Sequence, residues 1–202
     1  MWVPTPSTWW WWRPTPWATS RCWPGRSTWC GWPRACCAPA RSVPKPYFEL
    51  GDPERELLGY AARLHDVGLS LAEKGHHKHG AYLIEHANLA GFWPAEIETI
   101  AQIVRFHRGR PPSAARHETF ALLKPWTQHV VEKLAAIVRA ADALDRTRRQ
   151  AVCTVRLRAQ GEDLDLEVAG TGDLRPELEG LKDKGGFLFR LLDRQVRVVR
   201  IG

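Results

Sequence analysis

His65 and Asp66 are adjacent, and Asp142 lies far downstream of them. One imidazole and two carboxylates make a donor set for a divalent cation. Such an ion would lower the pKa of a bound water and polarise a phosphoryl oxygen. His76, His77, Lys78 and His79 form a second dense group, and His107 follows an apolar stripe. These residues suit a second metal or the oxygens of a phosphate. Arg146, Arg148 and Arg149 form a cationic cluster that suits phosphate as well. Each feature also has a plainer reading. His65-Asp66 can close a helix end while Asp142 pairs with Arg139 or Arg146. His76–His79 can be a solvated loop, His107 a hydrogen-bonded core histidine, and the arginines a solvated helix end favoured by the dipole. There is no glycine-rich phosphate loop and no recognisable Ser-His-Asp arrangement.

The elements that must position these residues are mostly helical. Asp52-Pro53 reads as an N-cap and first helical position. Leu57, Leu58, Ala61, Ala62 and Leu64 then recur at helical spacing and bring His65 and Asp66 to the edge of the apolar face, where Gly68 lets the chain turn. A second helix is expected over about 78–88. A third starts at Pro94 with Ile97, Ile100, Ala101 and Val104 inward, continues its stripe to His107, and ends at Gly109, Pro111 and Pro112. A short piece near 118–124 precedes a long helix from about Gln128 to Arg148. The period then changes to two: Val152, Thr154 and Arg156 alternate with Cys153, Val155 and Leu157, and Leu164, Leu166 and Val168 repeat the pattern after a turn at 161–163. A helix over about 174–193, broken at Gly185-Gly186, and a strand from Gln195 to Ile201 complete a β-β-α-β unit. The expected fold is mostly α, with a helical domain over 48–150 and a small α+β unit over 151–202.

The first 47 residues read differently. Residues 1–46 hold nine of the 15 prolines and nine of the 11 tryptophans, with no helical or strand period. Proline at that density blocks helices and central strands. The segment reads as a disordered or non-native leader, with the composition that out-of-frame translation of a GC-rich gene produces. The alternative is an aromatic-cationic arm that stacks bases or sugars. Six of the 29 basic residues and none of the 22 acidic ones lie in residues 1–48, so 23 basic and 22 acidic side chains remain beyond it. The net charge of +7 therefore belongs almost wholly to the leader. The body is not expected to bind nucleic acid strongly. Four of the five cysteines also lie in the leader, and none forms a C-x-x-C pair. No apolar run is long enough to span a membrane, and no secretory signal is legible, so a cytoplasmic location is expected.

Read in series, the motifs become familiar. Leu57-Leu58-Gly59-Tyr60-Ala61-Ala62-Arg63-Leu64-His65-Asp66-Val67-Gly68-Leu69 resembles the first core motif of the C-terminal domain of Ppx/GppA phosphatases. Gly75-His76-His77-Lys78-His79 with Tyr82-Leu83-Ile84 resembles the next. Gly91-Phe92, Glu96-Ile97-Glu98, Arg105-Phe106-His107-Arg108 and Arg139-Ala140-Ala141-Asp142-Ala143-Leu144-Asp145-Arg146 continue it. The resemblance covers about residues 48–202. It implies an HD-type helical domain, in which His65, Asp66 and Asp142 match the last three ligands of the metal pattern. The pattern's first histidine has no counterpart, because no histidine precedes His65. The implied divalent ion, Mg or Mn, would then sit in an incomplete site.

Family members are exopolyphosphatases and guanosine pentaphosphate phosphohydrolases, whose main active site lies in two actin-like domains that this chain lacks. The resemblance implies a C-terminal portion of such an enzyme, inactive alone, that contributes polyphosphate or guanosine polyphosphate binding or homodimer contacts. An independent metal-dependent HD phosphohydrolase and a non-catalytic interaction module are the alternatives. The candidate phosphate contacts are His76, His77, Lys78, His79, His107, Arg108 and Arg146.

Overall fold

The leader expected over residues 1–47 lies outside the residues described by this computed structural model, which are Phe48 and 50–201. Among them are six α-helices, a 3-10 turn and three strands. The helices come first. α1 is Asp52–Leu64, the 3-10 turn is Val67–Ser70, α2 is His76–His86, α3 is Pro94–Phe106, α4 is Glu118–Ala121 and α5 is Pro125–Ala143. Two strands, β1 (Val152–Gln160) and β2 (Asp163–Gly170), precede α6 (Arg175–Leu191) and β3 (Val196–Ile201). The mostly α architecture with a β-β-α-β unit is the one the sequence patterns imply.

α3 is the central helix and packs against α1, α2 and α5. Its residues Thr99–Val104 and Phe106 are all buried, so burial runs round the helix rather than along one stripe. Glu54 and Glu96 each accept the N–H of the residue before their helix, Gly51 and Trp93, both at 2.8 Å. These bonds satisfy one free donor at each N-terminus. The cap of α1 is thus Gly51, with Asp52 and Pro53 already in the first turn, one position away from the sequence expectation.

Three helix boundaries differ from that expectation. α2 begins at His76, because Gly75 takes φ +80 and turns the chain directly into the helix. His76–His79 are therefore its first turn and not a loop. α5 begins at Pro125, a proline at the first helical position, where its missing N–H costs nothing. It ends at Ala143 instead of near Arg148. Beyond it the chain turns back, with Arg148 at φ +54 and Gln150 at φ +55, and the Gln150 N–H donates to Asp145 Oδ1 at 2.9 Å.

α6 runs unbroken through Gly185-Gly186. A Cβ at Gly185 would lie 3.0 Å from Leu181 Cδ1 and 3.1 Å from Phe189 Cζ, so the glycine leaves space for those side chains. A Cβ at Gly180 would lie 3.0 Å from the Ala143 carbonyl oxygen, which shows how closely α6 approaches the end of α5.

β2 is the central strand, antiparallel to β1 and parallel to β3, and α6 is the crossover that a parallel pair requires. Leu164, Leu166 and Val168 point inward at period two. Val155 and Leu157 pair with Val168 and Leu166, but a register shift between Val152 and Thr154 takes Cys153 out of the alternation and leaves it exposed. The core has two apolar clusters. One lies among the helices and the other among β2, α6 and the end of α5. α5 joins them, giving Val131, Leu134 and Val138 to the first and Ala140 to the second. No helix among the described residues is long and apolar enough to cross a membrane.

Candidate metal centre

Three helix ends meet at one place. His65 follows the last residue of α1, His76 is the first residue of α2, and His107 follows the last residue of α3. Asp66 leads into the 3-10 turn between the first two. Gly68 makes this meeting possible. A Cβ there would lie 2.0 Å from the His76 carbonyl oxygen and 2.5 Å from the Gly80 nitrogen, so no other residue lets the turn lie against α2. The His65-Asp66-Val67-Gly68 stretch thus combines two candidate ligands with the residue that delivers them to His76.

The imidazoles share one arrangement. His65 Nδ1 lies 2.7 Å from the Ala62 oxygen, His76 Nδ1 3.0 Å from the Glu73 oxygen, and His107 Nδ1 2.7 Å from the Val104 oxygen. A carbonyl oxygen only accepts, so each Nδ1 carries the proton and donates it. In the neutral form of each ring the lone pair is therefore on Nε2. For His65 and His107 the accepting carbonyls are in the last turn of a helix, where partners are scarce. One bond thereby satisfies the helix end and aims the ring.

These lone pairs converge. His76 Nε2 and His107 Nε2 are 3.2 Å apart, and both residues are buried. Asp66 Oδ1 stands 3.5 Å from His76 Nε2, and Asp66 Oδ2 stands 3.6 Å from His65 Nε2. One ligand-type atom from each of Asp66, His76 and His107 lies within 4.8 Å of the other two. The His65 ring meets the His107 ring edge-on with centroids 5.3 Å apart. Burial, above all, pushes His107 down to about 4, so its ring is neutral near pH 7 and available as a ligand. Burial does the same to His77, which also falls to about 4, and whose Nδ1 is buried without a hydrogen-bond partner.

Asp142, the third ligand of the sequence pattern, is held by a different partner. Its Oδ2 is 2.7 Å from Lys184 Nζ, on α6. Burial alone would raise its carboxyl, but the Lys184 hydrogen bond and charge outweigh it and hold the group below the usual carboxylate range. His65 and Asp66 therefore come together with His76 and His107, while Asp142 lies close enough to share their field but is paired with a lysine.

The remaining candidates are dispersed. Lys78 and Arg108 are exposed, and His79 is half-buried beside Gly75. Arg146 pairs with Asp183 at 3.5 Å, away from the cluster. Its neighbour Arg148 is the arginine that reaches in, donating to Asp66 Oδ2 at 2.7 Å. Lys184 carries no separate signal in the sequence. The feature that points to it is the stripe Glu177, Gly180, Lys184, three or four residues apart on one face of α6. Along that stripe Glu177 accepts from Thr147, Gly180 meets Ala143 and Lys184 meets Asp142.

Helix ends thus gather imidazoles and a carboxylate at one point of a helical domain, in an arrangement that could hold a metal ion, with a small α+β unit attached. The family profile of Ppx/GppA phosphatase, domain III, matches residues 45–175. The chain belongs to the Ppx/GppA phosphatase family.

Proposed function

We propose that this domain binds phosphoanhydride chains, those of polyphosphate or of a guanosine polyphosphate, through a divalent cation held by Asp66, His76 and His107, and does not hydrolyse them. The observation that carries the reading is the approach of two imidazole Nε2 atoms to 3.2 Å beside a carboxylate. With both Nδ1 atoms committed as donors, the two Nε2 atoms face each other across a single shared proton or across a cation that both ligate. A divalent cation in that place takes one nitrogen from each ring. His65, aimed in the same way, stands as a further donor. Two or three imidazoles with one carboxylate suit Mn or another first-row transition ion better than Mg, which prefers oxygen donors.

The ion supplies a positive anchor for a phosphate oxygen. The protein's part is to fix the tautomers, exclude water around His76 and His107, and set cations at the edge. Arg148 is best placed among these, already on Asp66 and 66% exposed at its side chain. His77, Lys78, His79, Arg108 and Arg146 are candidates for phosphates further along a chain. Binding without turnover is favoured because both carboxylates of the region already hold a cation, Asp66 with Arg148 and Asp142 with Lys184. Neither is left as a free general base.

A second reading, metal-dependent phosphohydrolysis at this centre, is favoured by the same cluster. Calorimetry with tripolyphosphate, with and without Mn, together with a phosphate-release assay, separates the two. Mn-dependent binding without release is expected. Binding that ignores Mn removes the metal from the reading, and Mn-dependent release that His107→Ala abolishes establishes hydrolysis instead.

A further inference from the structure

We propose that Lys184 is a resident cation that withholds Asp142 from a metal at the histidine cluster, and so keeps the centre to a nitrogen-rich donor set with one carboxylate. The inference rests on the metal reading above. Asp142 sits in the last turn of α5, one turn after Arg139, whose guanidinium reaches the Phe106 and Gly109 oxygens on either side of His107. The Asp142 and Lys184 side chains are only 21% and 27% exposed, and they meet at 2.7 Å. A carboxylate so placed needs a counter-charge. Either an ion at the cluster or an ammonium can provide it, and here the ammonium does.

Among the described residues no other nearby cation takes that role. Arg139 lies in the field of Asp142, but its guanidinium donates to the Gly109 oxygen at 2.6 Å and the Phe106 oxygen at 3.4 Å. The delivery of Lys184 is built into the helix. Gly180, one turn earlier on the same face, lets α6 close on the Ala143 carbonyl, and Lys184 then reaches Asp142. Without the lysine charge, Asp142 is a negative ligand-type group beside the cluster with no fixed partner, free to join the ion.

Cobalt(II) tests this, because its visible band is intense in four-coordinate sites and weakens as ligands are added. In the full chain, Lys184→Met is expected to bind cobalt at least about tenfold more tightly, well below the full worth of one charge pair a few ångströms apart at an effective dielectric near 20. Its band should also weaken. Lys184→Gln, which keeps a donor without the charge, should do the same and guards against a folding defect in the first variant. Lys184→Arg should match the parent, and adding Asp142→Asn to Lys184→Met should restore the parent band, which a general charge effect would not change. An unchanged band in both uncharged variants overturns the inference. Cobalt binding only after Lys184 is replaced supports the withholding and removes the metal from the native reading. No cobalt in any of these proteins overturns both.

Discussion

At the scale of single residues, the centre depends on which nitrogen carries the proton. His65, His76 and His107 each donate a hydrogen bond from Nδ1 to a carbonyl three residues earlier, which leaves Nε2 as the atom that each neutral ring can offer a metal. Replacing His76 or His107 by alanine is expected to weaken Mn binding by more than about tenfold, a bound taken from what loss of a mere supporting contact costs. Titration followed by the Mn paramagnetic signal checks it, and unchanged affinity in both variants would remove the site. The histidines also set an acid limit. His77 and His107 titrate near 4 in the folded chain and near 6.5 when unfolded. Between those values the unfolded chain binds more protons, so their stabilising contribution is complete above pH 6.5 and drains away as pH falls towards 4. Buried His107 alone accounts for at most about 3 kcal/mol over that window. The urea midpoint should therefore drop from pH 7.5 to pH 5, and the drop should shrink in His77→Asn. An equal drop in that variant would clear His77 of any share.

At the scale of elements, close approach matters more than propensity. Gly68→Ala places a methyl group 2.0 Å from the His76 carbonyl oxygen, so the 3-10 turn and α2 must separate. A loss of at least about 3 kcal/mol is expected, with metal affinity falling alongside it. Gly186→Ala is the contrast. Its Cβ meets nothing within 4 Å inside a helix, so the variant should gain about 0.5–1 kcal/mol, readable as a higher melting temperature. If Gly68→Ala melts like the parent, the packing argument for the centre is lost. These glycines also show what the sequence could and could not reveal. Periodicity placed the apolar faces of α1 and α3 and the alternation of β2, because burial imposes periods of 3.6 and two. It pointed to His65 and Asp66, which share one helix end. It did not reveal that His76 and His107 join them, since a helix that starts at Gly75 and a turn that lies against it are tertiary facts. Nor did it show the partner of Asp142, which comes from α6, beyond two strands and 42 residues downstream. The expected break at Gly185-Gly186 failed for a related reason: Leu181, Leu188 and Phe189, on either side of the pair, are packed into the second apolar cluster, and that burial outweighs the local cost of glycine.

At the scale of the whole molecule, charge and ligand chemistry are divided along the chain. The leader holds six basic residues and nine tryptophans without a single acid, while the rest is close to neutral. The two parts should therefore bind anions by different physics. A basic, aromatic segment attracts any polyanion by releasing counterions, with a log–log salt slope down to about −4 for a single strand if all six cations engage. The cluster of Asp66, His76 and His107 attracts phosphate only through an ion, at one point, and with little salt dependence. Tripolyphosphate, too short to span many leader arginines, should bind in a way that EDTA abolishes and moderate salt leaves nearly intact. Single-stranded DNA should show the reverse, falling steeply with salt and ignoring EDTA. If tripolyphosphate followed the salt curve of DNA and persisted in EDTA, the leader charge would explain all the binding, and the histidine centre would have no part in holding phosphate.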